Sequence, residues 1–194
     1  MKFFRYHQTN CFFIESSLNG KLLAIDAGWP CTFYEYQRYL KQINLRYQDI
    51  VWSFVTHLHM DHAGLWGEFI ESNINCYAFE EQIKHIDKME SIITRNKDYI
   101  NYKRIDKSKI KILRVSESRQ FFKEIGIVGE VISTKGHSKD SITFISDHNE
   151  AIIGDLYSPD LVMSDDIESR KSWEAIKEKG AKFIYPSHAK YFEI

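Results

Sequence analysis

Three histidines and an aspartate stand within six consecutive residues, His57-Leu58-His59-Met60-Asp61-His62, an HxHxDH motif. Side chains two apart on an extended segment point to the same side, so His57 and His59 can reach one ion together. Asp61 and His62, beyond the point where the chain turns, can address a second point nearby. Neutral imidazole and carboxylate are donors that zinc and related divalent ions accept. Packing gives no ordinary reason for the cluster, because buried imidazoles and carboxylates need polar partners. The motif therefore predicts metal binding.

The cluster follows Asp49–Thr56 (DIVWSFVT), a nearly continuous apolar run of the kind found in strands buried on both faces. Three further candidates stand just past the ends of expected strands: His137 after Val128–Ser133, Asp155 after Ala151–Gly154 and His188 after Lys182–Tyr185. In open α/β sheets, the crevice beyond strand carboxyl ends is where ligands bind. A lone histidine near a strand end is more often structural, so His137 and His188 gain weight only beside the cluster. His7, His85 and His148 have no such context and are left out of the site.

The remaining elements must position these residues. Strands are expected at Lys2–His7, Cys11–Glu15 and Leu22–Asp26, with Asn19-Gly20 as a hairpin signal. A helix from Thr32 to Ile43 presents Phe33, Tyr36, Leu40 and Ile43 on one face. Helices at Ala63–Glu71 and Glu80–Met89 flank a strand at Ile74–Phe79, and residues 90–108 read as an irregular or helical flap. Further strands are expected at Ile110–Val115 and Ile142–Ser146. The last helix, Ile167–Lys179, is capped by Asp165 or Asp166 and stops at Gly180. Strands alternating with helices indicate an α/β architecture, and no linker divides residues 1–194, so one domain is expected.

The full set, His57-x-His59-x-Asp61-His62 with Gly136-His137, Gly154-Asp155 and Ser187-His188, resembles the ligand set of the metallo-β-lactamase superfamily. Asn10–Ile14 and Ile25–Gly28 also resemble its first strands. The resemblance implies a four-layer αβ/βα sandwich with two metals at one edge between the sheets. It further implies that His57, His59 and His137 hold one metal, that Asp61, His62 and His188 hold the other, and that Asp155 bridges them. Asp26 matches a residue that orients a histidine ligand through its other ring nitrogen. Lys135 stands where the family usually has proline, which would fix φ and stiffen the approach to His137.

Two divalent ions so held imply a metal-bridging hydroxide that attacks a thioester, ester or lactone carbonyl, with Asp61 orienting it or moving a proton. Zinc is the first expectation, with iron or manganese as alternatives. His59 argues against the di-iron oxygen-reducing branch, which carries a glutamate there. Trp29 and Tyr157, each just past a strand end, are candidates to line the substrate pocket. Only six residues follow His188, so the helical substrate domain of hydroxyacylglutathione hydrolases is not expected.

Formal net charge is −1, which gives the whole molecule no pull toward nucleic acid or an anionic membrane. Residues 82–123, however, hold twelve basic side chains against five acidic ones. Such a segment is either a solvated helical insertion or a cationic flap that attracts a small anionic substrate. The second option keeps phosphodiester hydrolysis, of nucleotides or nucleic acid among other esters, as an alternative activity, although nucleic-acid enzymes of this family resemble longer chains. A metal-binding sensor without turnover is a third reading, disfavoured by the complete ligand set. Three cysteines without CxxC spacing suit a reducing compartment, and the first residues lack an apolar leader, so a cytoplasmic protein is expected.

Overall fold

The computed structural model describes residues 1–194. Its first sheet contains six strands: β1 (Lys2–Tyr6), β2 (Thr9–Glu15), β3 (Leu22–Ile25), β4 (Ile50–Phe54), β5 (Asn75–Phe79) and β6 (Lys111–Leu113), hydrogen-bonded in that order. β1, β2 and β3 are antiparallel neighbours, and β3 through β6 run parallel. The second sheet has the order β11 (Phe192–Glu193), β10 (Phe183–Pro186), β9 (Glu150–Gly154), β8 (Ile142–Ser146) and β7 (Gly129–Ser133). Only its β9–β10 pair is parallel.

Three apolar clusters divide these elements into four layers. The first joins Phe4, Phe13 and Ala24 of one sheet face to Tyr36 and Leu40 of α1 (Phe33–Gln42). It also takes Trp66 and Phe69 from α3 (Trp66–Glu71) and Met89 and Ile93 from α4 (Ile86–Arg95). The second lies between the sheets, where Phe12, Ile25, Phe54 and Phe79 meet Val131, Phe144 and Ile152. The third packs Ile145, Ile153 and Ile184 against Trp173 and Ile176 of α6 (Ile167–Glu178). Period-two alternation explains the arrangement: neighbouring strand residues such as Phe12 and Phe13 enter opposite clusters. The fold is the αβ/βα sandwich.

Several local features differ from sequence expectation. The helix expected at Glu80–Met89 begins later, as a 3₁₀ turn at Ile83–His85 that runs into α4. The next stretch is ordered by Glu90, which is buried and accepts the Ile105 N–H at 2.7 Å and the Tyr102 hydroxyl at 3.2 Å. An unexpected helix, α5 (Ser118–Glu124), inserts Phe122 into the core between the sheets. A single turn, α2 (Met60–Ala63), contains Asp61 and His62. The last helix agrees with expectation: of its two candidate caps, Asp166 serves, accepting the Ser169 N–H at 3.0 Å. No helix is long and apolar enough to cross a membrane.

Candidate metal centre

The cluster begins immediately after β4, and Thr56 is its hub. Thr56 donates both its N–H (2.7 Å) and its hydroxyl to the fully buried Asp26 carboxylate just past β3. Asp26 Oδ2 also accepts His62 Nδ1–H at 2.8 Å and the Ser187 hydroxyl at 3.2 Å. His62 is thereby held with Nε2 facing inward. His188 is oriented by a different device: its Nδ1–H donates to the Gln8 carbonyl at 2.9 Å. That carbonyl is presented by a two-residue turn in which His7 and Gln8 both adopt positive φ, 45° and 67°. Non-glycine residues carry strain in such a turn, and here the turn aims an acceptor at a site histidine.

The second sheet delivers Asp155 because Gly154 (φ 61°) lets the end of β9 run tightly against Thr56. A Cβ at Gly154 would lie 2.8 Å from the threonine hydroxyl. His137 arrives on the loop after β7. In place of proline, contacts with α6 and one exposed ion pair anchor this loop. The Ser172 hydroxyl donates to the Lys135 carbonyl at 2.6 Å, Gly136 packs against Ser169, and Lys135 pairs with Glu81. Asp140 then ties the two loops together by accepting the Leu58 N–H at 2.7 Å.

The seven residues form two groups that share Asp155: His57, His59, His137 and Asp155, and Asp61, His62, Asp155 and His188. Four donors bound at about 2.0–2.1 Å to a tetrahedral ion stand roughly 3.3 Å from one another. In the first group, His137 Nε2 lies 3.1 Å from His59 Nδ1 and 3.5 Å from Asp155 Oδ2, which is 3.6 Å from His57 Nε2. In the second, His188 Nε2 lies 3.1 Å from Asp61 Oδ2 and 3.2 Å from Asp155 Oδ2. His62 Nε2 is 3.3 and 3.4 Å from the same two carboxylates. His57 Nε2, His62 Nε2 and Asp155 Oδ1 are buried without a hydrogen-bond partner, as ligand atoms awaiting a cation would be. Donor type, spacing and unmet valence all fit divalent metal.

Charge gives the same answer. Burial opposes ionisation of Asp61 and Asp155, yet the imidazoles of His188 and His62, 3.1–3.4 Å from their oxygens, hold both far below the usual carboxylate range. Burial also works against a charge on His62, but Asp26, Asp155 and Asp61 outweigh it and raise its pKa. The carboxylates of Asp155 and Asp61 push His188 up to about 10. Burial lowers His57, His59 and His137, which keeps them neutral and able to donate a lone pair. The two carboxylates require positive charge, and protons on His62 and His188 supply it where metal would otherwise do so.

Two clefts open on the centre, and His137 lines both. One, of about 630 Å³, contains Trp29, Met60 and Met89 together with Lys88, Lys139 and His85. The other, of about 720 Å³, contains Tyr157, Leu161 and Phe192. Trp29 and Tyr157 therefore line different clefts. Trp29 also reaches the centre through a relay: its indole N–H donates to Thr9 Oγ1, whose hydroxyl donates to Asp61 Oδ2, each at 3.2 Å. Sequence reasoning missed Thr9, Thr56, Asp140, Lys88 and Lys139 and set His85 aside. Thr56, adjoining the cluster, and Asp140, three residues past His137, had a positional signal, and Lys88 had only its membership of the basic segment 82–123.

Comparison with known proteins gives a consistent result. Among curated proteins none matches the chain. A metallo-beta-lactamase family protein of Thermus thermophilus, TTHA1429, superposes with a TM-score of 0.73 at 16% identity, covering 98% of this chain and 72% of that one. The B3 metallo-beta-lactamase BLEG-1 gives 0.69 at 17% identity, covering 99% and 93%. TTHA1623 in a di-iron-bound form gives 0.68 at 17%, covering 95% and 89%. At these identities the likeness establishes the fold. A sequence model of the family matches residues 5–188, nearly the whole chain, and on that ground the protein belongs to the metallo-beta-lactamase superfamily, whose members are generally hydrolases.

Proposed function

We propose that this protein is a dinuclear metallohydrolase acting on a thioester, ester or lactone. The observation that carries the reading is the pair of four-donor groups sharing Asp155, with donor spacings of 3.1–3.6 Å suited to tetrahedral ions. His57, His59 and His137 would hold one ion and Asp61, His62 and His188 the other. Divalent ions there would supply Lewis acidity, polarising a carbonyl and letting water ionise near neutral pH. Zinc suits the imidazole-rich donors; the di-iron form of TTHA1623 keeps iron open for this fold.

The chain's own residues contribute orientation and proton handling. Asp26 and the Gln8 carbonyl fix the rings of His62 and His188, which would preserve the site's geometry through turnover. Asp61, which accepts the Thr9 hydroxyl at one oxygen, would orient the attacking water and pass its proton to the departing alkoxide or thiolate. An Asp61→Asn protein that retained both metals and full activity would rule out that role. The basic segment offers less support for phosphodiester hydrolysis than its composition suggests, because half of its cations are engaged in ion pairs with acidic neighbours.

The test is elemental analysis of protein purified without added metal, beside a screen of a thioester, a lactone, an aryl ester and bis-aryl phosphate. Close to two ions per chain with chelator-sensitive turnover of an acyl substrate supports the reading. Turnover of the phosphodiester alone would replace it, and a chain that bound no divalent metal under any loading condition would remove it.

A further inference from the structure

From the two clefts we infer that the substrate is an anionic amphiphile, with a carboxylate or phosphate on one arm and an apolar group on the other. This rests on the hydrolase reading above and concerns which acyl compound that site accepts. Six of the twelve basic side chains in residues 82–123 (Lys103, Arg104, Lys107, Lys109, Arg114 and Arg119) are tied to acidic partners. Lys88 from that segment and Lys139 from the His137 loop belong to no ion pair, and both line the cleft beside His59 and Asp61. They come from different elements, α4 and the loop after β7, so their convergence is a tertiary feature and not a run of like charge.

The same lining carries the apolar Met60, Met89 and Ile92, and its carboxylates are Asp61, a candidate ligand, and Asp140, which accepts the Leu58 N–H. A mixed wall of this kind accommodates a short methylene chain ending in an anion. The absence of arginine from the lining means no planar fork selects carboxylate over phosphate, because lysine acts as a point charge. The second cleft offers Leu156, Tyr157, Leu161 and Phe192, with Asp160 as its one charged side chain away from the centre and no cation except the site histidines, which disfavours an anion and suits the apolar arm. A scissile carbonyl near His137, the residue common to both clefts, would send one arm into each.

The experiment compares matched substrates on the metal-loaded enzyme. The 4-nitrophenyl hemiester of glutarate against the corresponding ester of methyl glutarate places or removes charge on the acyl arm. S-hexanoyl mercaptopropionate against its methyl ester does so on the departing arm, and the 4-nitrophenyl ester of phosphonobutyrate replaces carboxylate by a phosphate-like group. In at least one pair the anionic member is expected to show about five- to tenfold higher kcat/KM, carried by KM and weakened by salt. Lys88→Gln/Lys139→Gln should collapse that ratio toward one, whereas Lys84→Gln, a lysine outside the cleft, should leave it in place. Calorimetric binding of glutarate and phosphonobutyrate should weaken in the double variant by a similar factor, a readout that needs no turnover. Equal rates for the charged and neutral members of both pairs would overturn this inference and leave the hydrolase reading standing. Failure to turn over any member, with both metals bound, would instead overturn the hydrolase reading, while calorimetry still tests the lysines.

Discussion

Buried carboxylates occur in two parts of this molecule, with opposite outcomes. At the seam between the sheets, Asp61 and Asp155 are ionised because imidazoles surround them. Glu68, on α3 beneath the segment around Lys103, has no such company. Burial pushes its pKa up to about 7, only Lys103 among nearby side chains favours its charge, and Oε2 has no partner. The same chemical group is thus a charge held ready at one place and a charge suppressed at the other. Desolvation is comparable in kind; the difference is the number of donors aimed at the oxygens.

Removing the shared carboxylate breaks the comparison most severely. Asp155→Ala should lower metal content from two ions to one or none and reduce kcat/KM by roughly a thousandfold. Retention of two ions would show that Asp155 is not common to both groups. Chelation comes next: at ion concentrations about a hundred times Kd, loading should stabilise the protein by about 2.7 kcal/mol, read as a metal-dependent Tm. Asp26→Asn leaves the donors present but loosens His62, and should weaken binding at the second group by about ten- to a hundredfold. An unchanged affinity for both ions would reduce Asp26 to a structural role.

The smallest effect lies at the other carboxylate. Glu68 ionises near pH 4.5 in the unfolded chain but near 7 when folded. Its favourable contribution is therefore complete below pH 4.5 and is lost as pH rises through 7. Glu68→Gln should stabilise the protein by about 1 kcal/mol at pH 8 and have little effect near pH 4.5. Equal shifts at both pH values would mean the glutamate is not held neutral by burial.

The seven donors were visible in the sequence because four are nearly contiguous and the other three stand beyond strand ends, where local pattern and family resemblance coincide. What supports them was hidden. Thr9 reaches Asp61 only because β2 lies alongside the cluster, and Lys88 meets Lys139 only once α4 has packed on the first sheet. α5 escaped because a seven-residue helix has little periodicity to read; the burial of Phe122 between the sheets holds it in place. The His7-Gln8 turn carries no glycine or asparagine signal, and its positive φ values are sustained by the contacts around it.

The clasp between the first hairpin and the last candidate ligand, His188, has a consequence for biosynthesis. The Asn10 N–H donates to the Ser187 carbonyl at 2.8 Å, and its side chain donates to the carbonyls of Pro186 and Ala189 at 2.8 and 3.1 Å. Arg5 donates to the His188 carbonyl at 2.9 Å. On the ribosome, the donors of the first group are all present once Asp155 has emerged. The second group must wait until His188 returns to residues that emerged near the start of translation. An ion captured there would act as a receipt that the two ends of the polypeptide have met.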